Sequence, residues 1–209
     1  MKIAVVAANG KAGRLIVEEA VNRGLDVTAI VRGENKTKAA HSIKRDILDI
    51  KADDLKNFDV VIDAFGTFEP DTLHLHSETL KVLCDAVSGT QTRLLIVGGA
   101  GSLYLDKSHT QQLYKSPDFP EIYRPLAAAQ AQELDELRKR NDVKWTFVSP
   151  AADFQADAPR TGKYILAGEE FTLNSKGESI ISYADYAIAM IDEATKGNHI
   201  QQRISVVRE

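Results

Sequence analysis

The chain has one cysteine, Cys84, so no internal disulfide can brace it. Cys84 lies in the apolar run Leu80-Lys81-Val82-Leu83-Cys84, which reads as a buried helix face rather than the setting of a nucleophile. No run of roughly 18 apolar residues occurs, which excludes a membrane-spanning helix. The start, Met1-Lys2-Ile3-Ala4-Val5-Val6, has no basic segment followed by a cleavage site, and a cytoplasmic protein is the expectation. Positive charge is not in excess. Lysine and arginine number 26, aspartate and glutamate 30, and the formal net charge is −4, which speaks against nucleic acid as a partner. Internal repeats and linker-like stretches are also missing, so the 209 residues read as one domain, 1–209.

What is present is an alternation of strand-like and helix-like segments. Residues 3–8 form a nearly unbroken apolar run, as expected of a parallel strand covered on both faces. Ala12, Leu15, Ile16, Ala20 and Val21 recur at helical spacing over 11–23, and Gly24 offers a stop. Further strands are predicted at 27–31, 42–47, 60–65, 94–97, 145–148 and 203–207. Helices are predicted at 73–87, 120–141 and 186–195, the last entered through Ser182-Tyr183-Ala184-Asp185, which resembles a capped start. Short strands are expected within 163–173. This order implies an α/β fold: a doubly wound, mostly parallel sheet, helices on both faces, and a small irregular C-terminal lobe. Two stretches, 102–119 and 151–179, have no clear period. Both follow strand ends, where ligands bind in such sheets.

The sharpest local signal is Ala7-Ala8-Asn9-Gly10-Lys11-Ala12-Gly13, between a predicted strand and a predicted helix. Gly10 would admit a pyrophosphate close to the backbone, Gly13 would let helix and strand pack, and the helix N-terminus would face the phosphates. Ala7 stands where such loops place a first glycine, so its turn is expected to keep a negative φ. About twenty residues on, Arg32 replaces the acidic residue that would bind an adenosine ribose. Its guanidinium suits a 2′-phosphate, which favours NADP, and nearby Glu34 keeps NAD open.

These segments, with Thr28-Ala29-Ile30-Val31-Arg32, Asp46-Ile47-Leu48-Asp49, Val97-Gly98-Gly99-Ala100-Gly101, Phe147-Val148-Ser149-Pro150-Ala151, Arg160-Thr161-Gly162-Lys163-Tyr164 and Ile181-Ser182-Tyr183-Ala184-Asp185, resemble the atypical short-chain dehydrogenases. The similarity is to NADH-flavin reductase-like and biliverdin reductase B-like proteins, near the NmrA-like NAD(P)-binding group. It implies a Rossmann-type fold, with Asp46 and Ile47 flanking an adenine and Ala64, Phe65 and Gly66 along ribose and phosphates. It also implies Gly98 and Gly99 beneath a nicotinamide, and Ser149, Pro150 and Ala151 at its carboxamide.

Typical short-chain dehydrogenases carry a tyrosine followed four positions later by a lysine, and no such pair exists in this chain. Tyr123 is followed by Ala127, Tyr114 by Asp118 and Tyr104 by Ser108, and only Ser102 offers a hydroxyl after the fifth strand. Reduction of a conjugated planar acceptor, a flavin or quinone, needs less acid–base equipment than alcohol oxidation. Pocket candidates from the irregular stretches are Tyr104, His109, Tyr114, Tyr123, Phe154 and Tyr164. A non-catalytic NAD(P)-binding redox sensor of NmrA-like type is the second reading. A nucleotide-sugar epimerase is the third, although it normally uses the missing pair and a longer C-terminal region. No metal site is expected, since His74 and His76 fall on different sides of a helix. The charge run 133–139 reads as a solvated face. The oligomeric state is expected to be monomer or homodimer.

Overall fold

The computed structural model describes all 209 residues. Its main sheet has eight strands in the order β3-β2-β1-β4-β5-β6-β10-β8. These are β1 (Lys2–Val6), β2 (Asp26–Val31), β3 (His41–Lys44), β4 (Val60–Asp63), β5 (Arg93–Val97), β6 (Lys144–Ser149), β8 (Tyr164–Ala167) and β10 (Gln202–Arg208). All pairings are parallel except β10 with β8, which places the expected late strand antiparallel at the edge. Two further strands, β7 (Asp153–Gln155) and β9 (Ile180–Ser182), pair with each other in a small parallel sheet that the sequence pattern did not reveal.

Strand alternation sorts the apolar residues between two cores. Ile3, Val5, Ile62 and Leu95 point to the face covered by α1 (Lys11–Asn22) and α5 (Tyr183–Lys196). Ala4, Val6, Val61, Leu94 and Ile96 point to the opposite face, covered by α3 (Leu75–Val87) and α4 (Arg124–Leu137). This two-sided burial explains why the strands read as continuous apolar runs. A one-turn helix, α2 (Ala52–Leu55), seats Leu55 in the second core. Cys84 is buried there as well.

Polar anchors fix the C-terminal region. Ser182 caps α5 by accepting from the Asp185 amide at 3.0 Å. The buried Asp185 carboxylate accepts from the amides of Thr161 (2.9 Å) and Gly162 (2.8 Å), tying the irregular 151–179 stretch to α5. Arg93 donates to Glu193 at 2.6 Å and to Thr146 Oγ1 at 3.0 Å, a buried link between β5, β6 and α5. The long helix predicted over 120–141 is shorter: a 3₁₀ turn at Glu121–Tyr123 precedes α4, because Pro125 suits the first helical turn.

Candidate functional site

The strand order reverses between β1 and β4, and the crevice at the C-terminal ends of these strands is a cleft of about 530 Å³. Its floor comes from the loop after β1. Gly10 adopts φ −67° and enters α1 without a side-chain cap. The amides of Lys11, Ala12 and Gly13 therefore have no protein acceptor, and the positive end of α1 is left for an anion. A Cβ on Gly13 would lie 2.9 Å from Ala7 O, Ala8 Cα and Ala8 O, so this position requires a bare backbone. A Cβ on Gly10 would lie 3.3 Å from Ala7 O.

Ala7 departs from expectation. Its φ is +55°, the left-handed region. The tight turn needs that conformation whether or not glycine supplies it, since the Gly10 amide must return to the Ala7 carbonyl at 3.0 Å. The cost to a residue with a Cβ is about 1 kcal/mol. Asn9 offsets some of this by bridging two loops. Its Oδ1 accepts from the Lys36 amide (2.9 Å) and its Nδ2 donates to the Glu34 carbonyl (2.8 Å). The sequence did not foretell this bridge, which joins the β1–α1 loop to the β2–β3 connection.

One wall carries Arg32, Asp46 and Ile47, three of the residues singled out from sequence. Arg32 is exposed and makes no ion pair. Asp46 uses its carboxylate to accept from the Leu48 amide at 3.0 Å, which shapes the 3₁₀ turn presenting Ile47. That turn replaces the end of the strand predicted over 42–47. Arg45 also lines this wall, with Nη2 at 3.1 Å from Asp54 Oδ1, and sequence reasoning missed it. The opposite wall is Ala64, Phe65 and Gly66, joined by Leu75 and Thr79 of α3, also missed.

The remaining candidates lie outside this cleft. Gly98 and Gly99 serve close packing: a Cβ would meet the Phe147 ring at 2.1 Å in one case and Gln130 Oε1 at 2.1 Å in the other. Ser149, Pro150 and Ala151 are buried at the end of β6, and the Ser149 hydroxyl has no partner. Tyr104 and His109 stack on each other, with ring centroids 4.5 Å apart, and His109 Nε2 lies 2.9 Å from Glu170. Tyr114 carries Lys115 over its ring. Tyr123 is exposed at the start of α4. Phe154 packs against Tyr183 and Tyr186. Tyr164 donates to Asp192 at 2.7 Å. Ser102 is buried and accepts from Arg203 at 2.8 Å.

Behind the Ala64–Gly66 wall sits a buried ionisable cluster. Asp63, His76 and Glu133 are each no more than 3% exposed. Glu133 corrects the solvated reading of its charge run: one side of α4 turns inward, while Asp135 and Lys139 remain exposed. Burial pushes the Asp63 carboxyl up to about 6 and that of Glu133 up to about 7. Burial, the largest influence, lowers His76, but Glu133, the Thr67 carbonyl and Asp63 together raise the imidazole overall.

The sequence profile of the NAD(P)H-binding family matches residues 7–195. The chain belongs to that family. It is similar to a putative NADH-flavin reductase from Streptococcus pneumoniae TIGR4, whose crystal structure matches with 59% identity, full coverage of both chains and a TM-score of 0.98. It is 43% identical to the uncharacterised protein YwnB of Bacillus subtilis (strain 168), covering 100% of this chain and 99% of that one. A putative epimerase from Bacteroides thetaiotaomicron is 35% identical, with a TM-score of 0.86, covering 99% of this chain and 96% of that one. No helix is long and apolar enough to cross a membrane.

Proposed function

We propose that this family member is an NADPH-dependent reductase of small planar conjugated acceptors, of which a flavin is the first candidate. The observation that carries the cofactor reading is the cleft at the β1/β4 reversal, with Ala7, Asn9 and Gly10 at its floor, the uncapped start of α1 directly after Gly10, and Arg32 and Arg45 on one wall. Helix amides suit a pyrophosphate. The Arg32 guanidinium, which has no ion-pair partner, and the neighbouring Arg45 suit a 2′-phosphate. The absence of the Glu34 side chain from the lining adds support to NADPH over NADH. The unpartnered Ser149 hydroxyl at the end of β6 offers a polar contact for a carboxamide.

NADPH would supply the hydride, and the chain's own residues would bind and orient the two rings. The acid–base equipment supports a conjugated acceptor. No tyrosine–lysine pair exists, Ala127 is buried where the lysine would stand after Tyr123, and the Ser102 hydroxyl is occupied by Arg203. The same facts tell against epimerisation of a sugar alcohol. The Streptococcus pneumoniae relative's name adds weight to a flavin. The occupied Ser102 also favours the second reading, an NAD(P)-binding redox sensor without turnover. Following the absorbance of NADPH and NADH with FMN, riboflavin or a quinone separates the two: consumption of NADPH supports the reductase, and tight binding without consumption by any acceptor supports the sensor.

A further inference from the structure

Asp63, His76 and Glu133 come from β4, α3 and α4, and all three are buried. They do not converge as a metal-holding set. Two of them grip the same short segment. Asp63 Oδ1 accepts from the Phe65 amide at 2.9 Å, and His76 Nε2 lies 3.2 Å from the Thr67 carbonyl. Between these two anchors run Ala64, Phe65 and Gly66, the cleft wall. The Phe65 ring also meets the His76 ring edge-on, with centroids 5.6 Å apart. The other ring nitrogen, Nδ1, faces Glu133 Oε2 at 3.6 Å, and that oxygen has no hydrogen-bond partner.

We propose that a proton held between His76 and Glu133 positions the Ala64–Thr67 wall of the cleft, so that its loss loosens cofactor binding. The proposal rests on reading the cleft as the cofactor site. Its basis is the donor inventory of imidazole. A carbonyl can only accept, so Nε2 must carry hydrogen to hold Thr67. With the proton present, either an imidazolium faces a carboxylate, or a neutral ring with Nε2–H faces a carboxylic acid. Both arrangements keep Nε2–H on Thr67. When the proton leaves to solvent, a neutral ring faces a carboxylate. The single ring hydrogen then moves to Nδ1 to satisfy Glu133, and Nε2 turns a lone pair on the Thr67 carbonyl. The grip at that end of the wall is lost.

The surrounding groups do not replace this proton. Asp63 and Glu136 are acidic and act on Glu133. The Cys84 thiol on α3 is pushed up to about 12 by burial and stays protonated. His76 touches Phe65 and Thr67, Glu133 faces His76, and neither lines the cleft itself, so they are positioning residues.

The test is NADPH affinity by fluorescence titration from about pH 7 to about pH 9, above the second ionisation of a phosphate at about 6. The wild-type chain is expected to bind about fivefold more weakly at the upper end, the scale of one lost hydrogen bond. Glu133→Gln is expected to abolish that dependence, because its amide N–H donates to Nδ1 and locks the hydrogen on Nε2. Equal affinity at both ends in the wild type, or the same loss in the variant, would overturn the proposal. The ring ¹⁵N shifts of His76 in the wild-type chain give a second readout that needs neither variant nor cofactor. A transfer of hydrogen from Nε2 to Nδ1 at high pH, with a coincident Gly66 amide shift, supports the clamp; a ring that keeps Nε2–H throughout overturns it. Absence of NADPH binding at every pH would instead remove the cofactor reading, and the ¹⁵N result would still decide the clamp.

Discussion

The Arg45 amide donates to the Val31 carbonyl at 2.8 Å, which continues the β2–β3 register and sets Arg45 beside Arg32 on one wall of the cleft. Neither arginine is buried, and Arg32 has no acidic partner. Charge-assisted hydrogen bonds to a 2′-phosphate are each worth about 1.5–3 kcal/mol, or at least about tenfold in affinity. Arg32→Ala and Arg45→Ala are each expected to raise the Kd for NADPH by about tenfold or more and to leave that for NADH nearly unchanged. Titration of each variant with both cofactors checks this.

Gly13 has no room for a side chain. Gly13→Ala places a Cβ 2.9 Å from the backbone of Ala7 and Ala8. Overpacking of this kind costs about 1–3 kcal/mol and would push α1 off the strand, so both the urea midpoint and cofactor affinity are expected to fall. Ala7→Gly should act in the opposite direction. Its φ of +55° suits glycine, and relief of the left-handed strain is expected to raise stability by up to about 1 kcal/mol, read in the same unfolding experiment.

The alternation of strands and helices was legible because both faces of the parallel strands are buried, which prints unbroken apolar runs into the sequence. The glycine loop was legible because Gly10 and Gly13 answer a steric demand that few other residues meet. Arg45 was not, because its place depends on the pairing of β2 with β3 rather than on any local spacing. Glu133 was hidden in a run of alternating charge, where only the packing of α4 against α3 shows which carboxylate turns inward. The strands β7 and β9 are three residues each, too short for a period to register.

Stability should depend on pH through the same buried cluster. Asp63 and Glu133 have folded-state values of about 6 and about 7, above those of exposed carboxyls at about 4. The folded chain therefore keeps protons that the unfolded chain has released. This contribution is fully present below about pH 4 and is lost as pH rises through about 6 and 7. The raised imidazole of His76 acts in the same direction, its contribution falling as pH rises. The melting temperature is expected to fall between about pH 5 and about pH 8, and to fall less in Asp63→Asn and Glu133→Gln. Thermal melts across that range check the slope.

The pair formed by Arg93 and Glu193 tests the anchoring of α5. The two groups lie 2.6 Å apart and are nearly buried. Glu193→Ala leaves a buried guanidinium without its charge partner and is expected to cost about 3–5 kcal/mol in chemical denaturation.

We propose that NADPH bound in the β1/β4 cleft reduces a planar acceptor. The most direct test follows NADPH absorbance with FMN for the wild-type chain and Arg32→Ala side by side. Acceptor-dependent NADPH loss is expected in the wild type, and a KM for NADPH raised about tenfold in the variant, the scale of one lost charge-assisted contact. NADPH left unconsumed with FMN, riboflavin and a quinone, or a variant with unchanged KM, would contradict it.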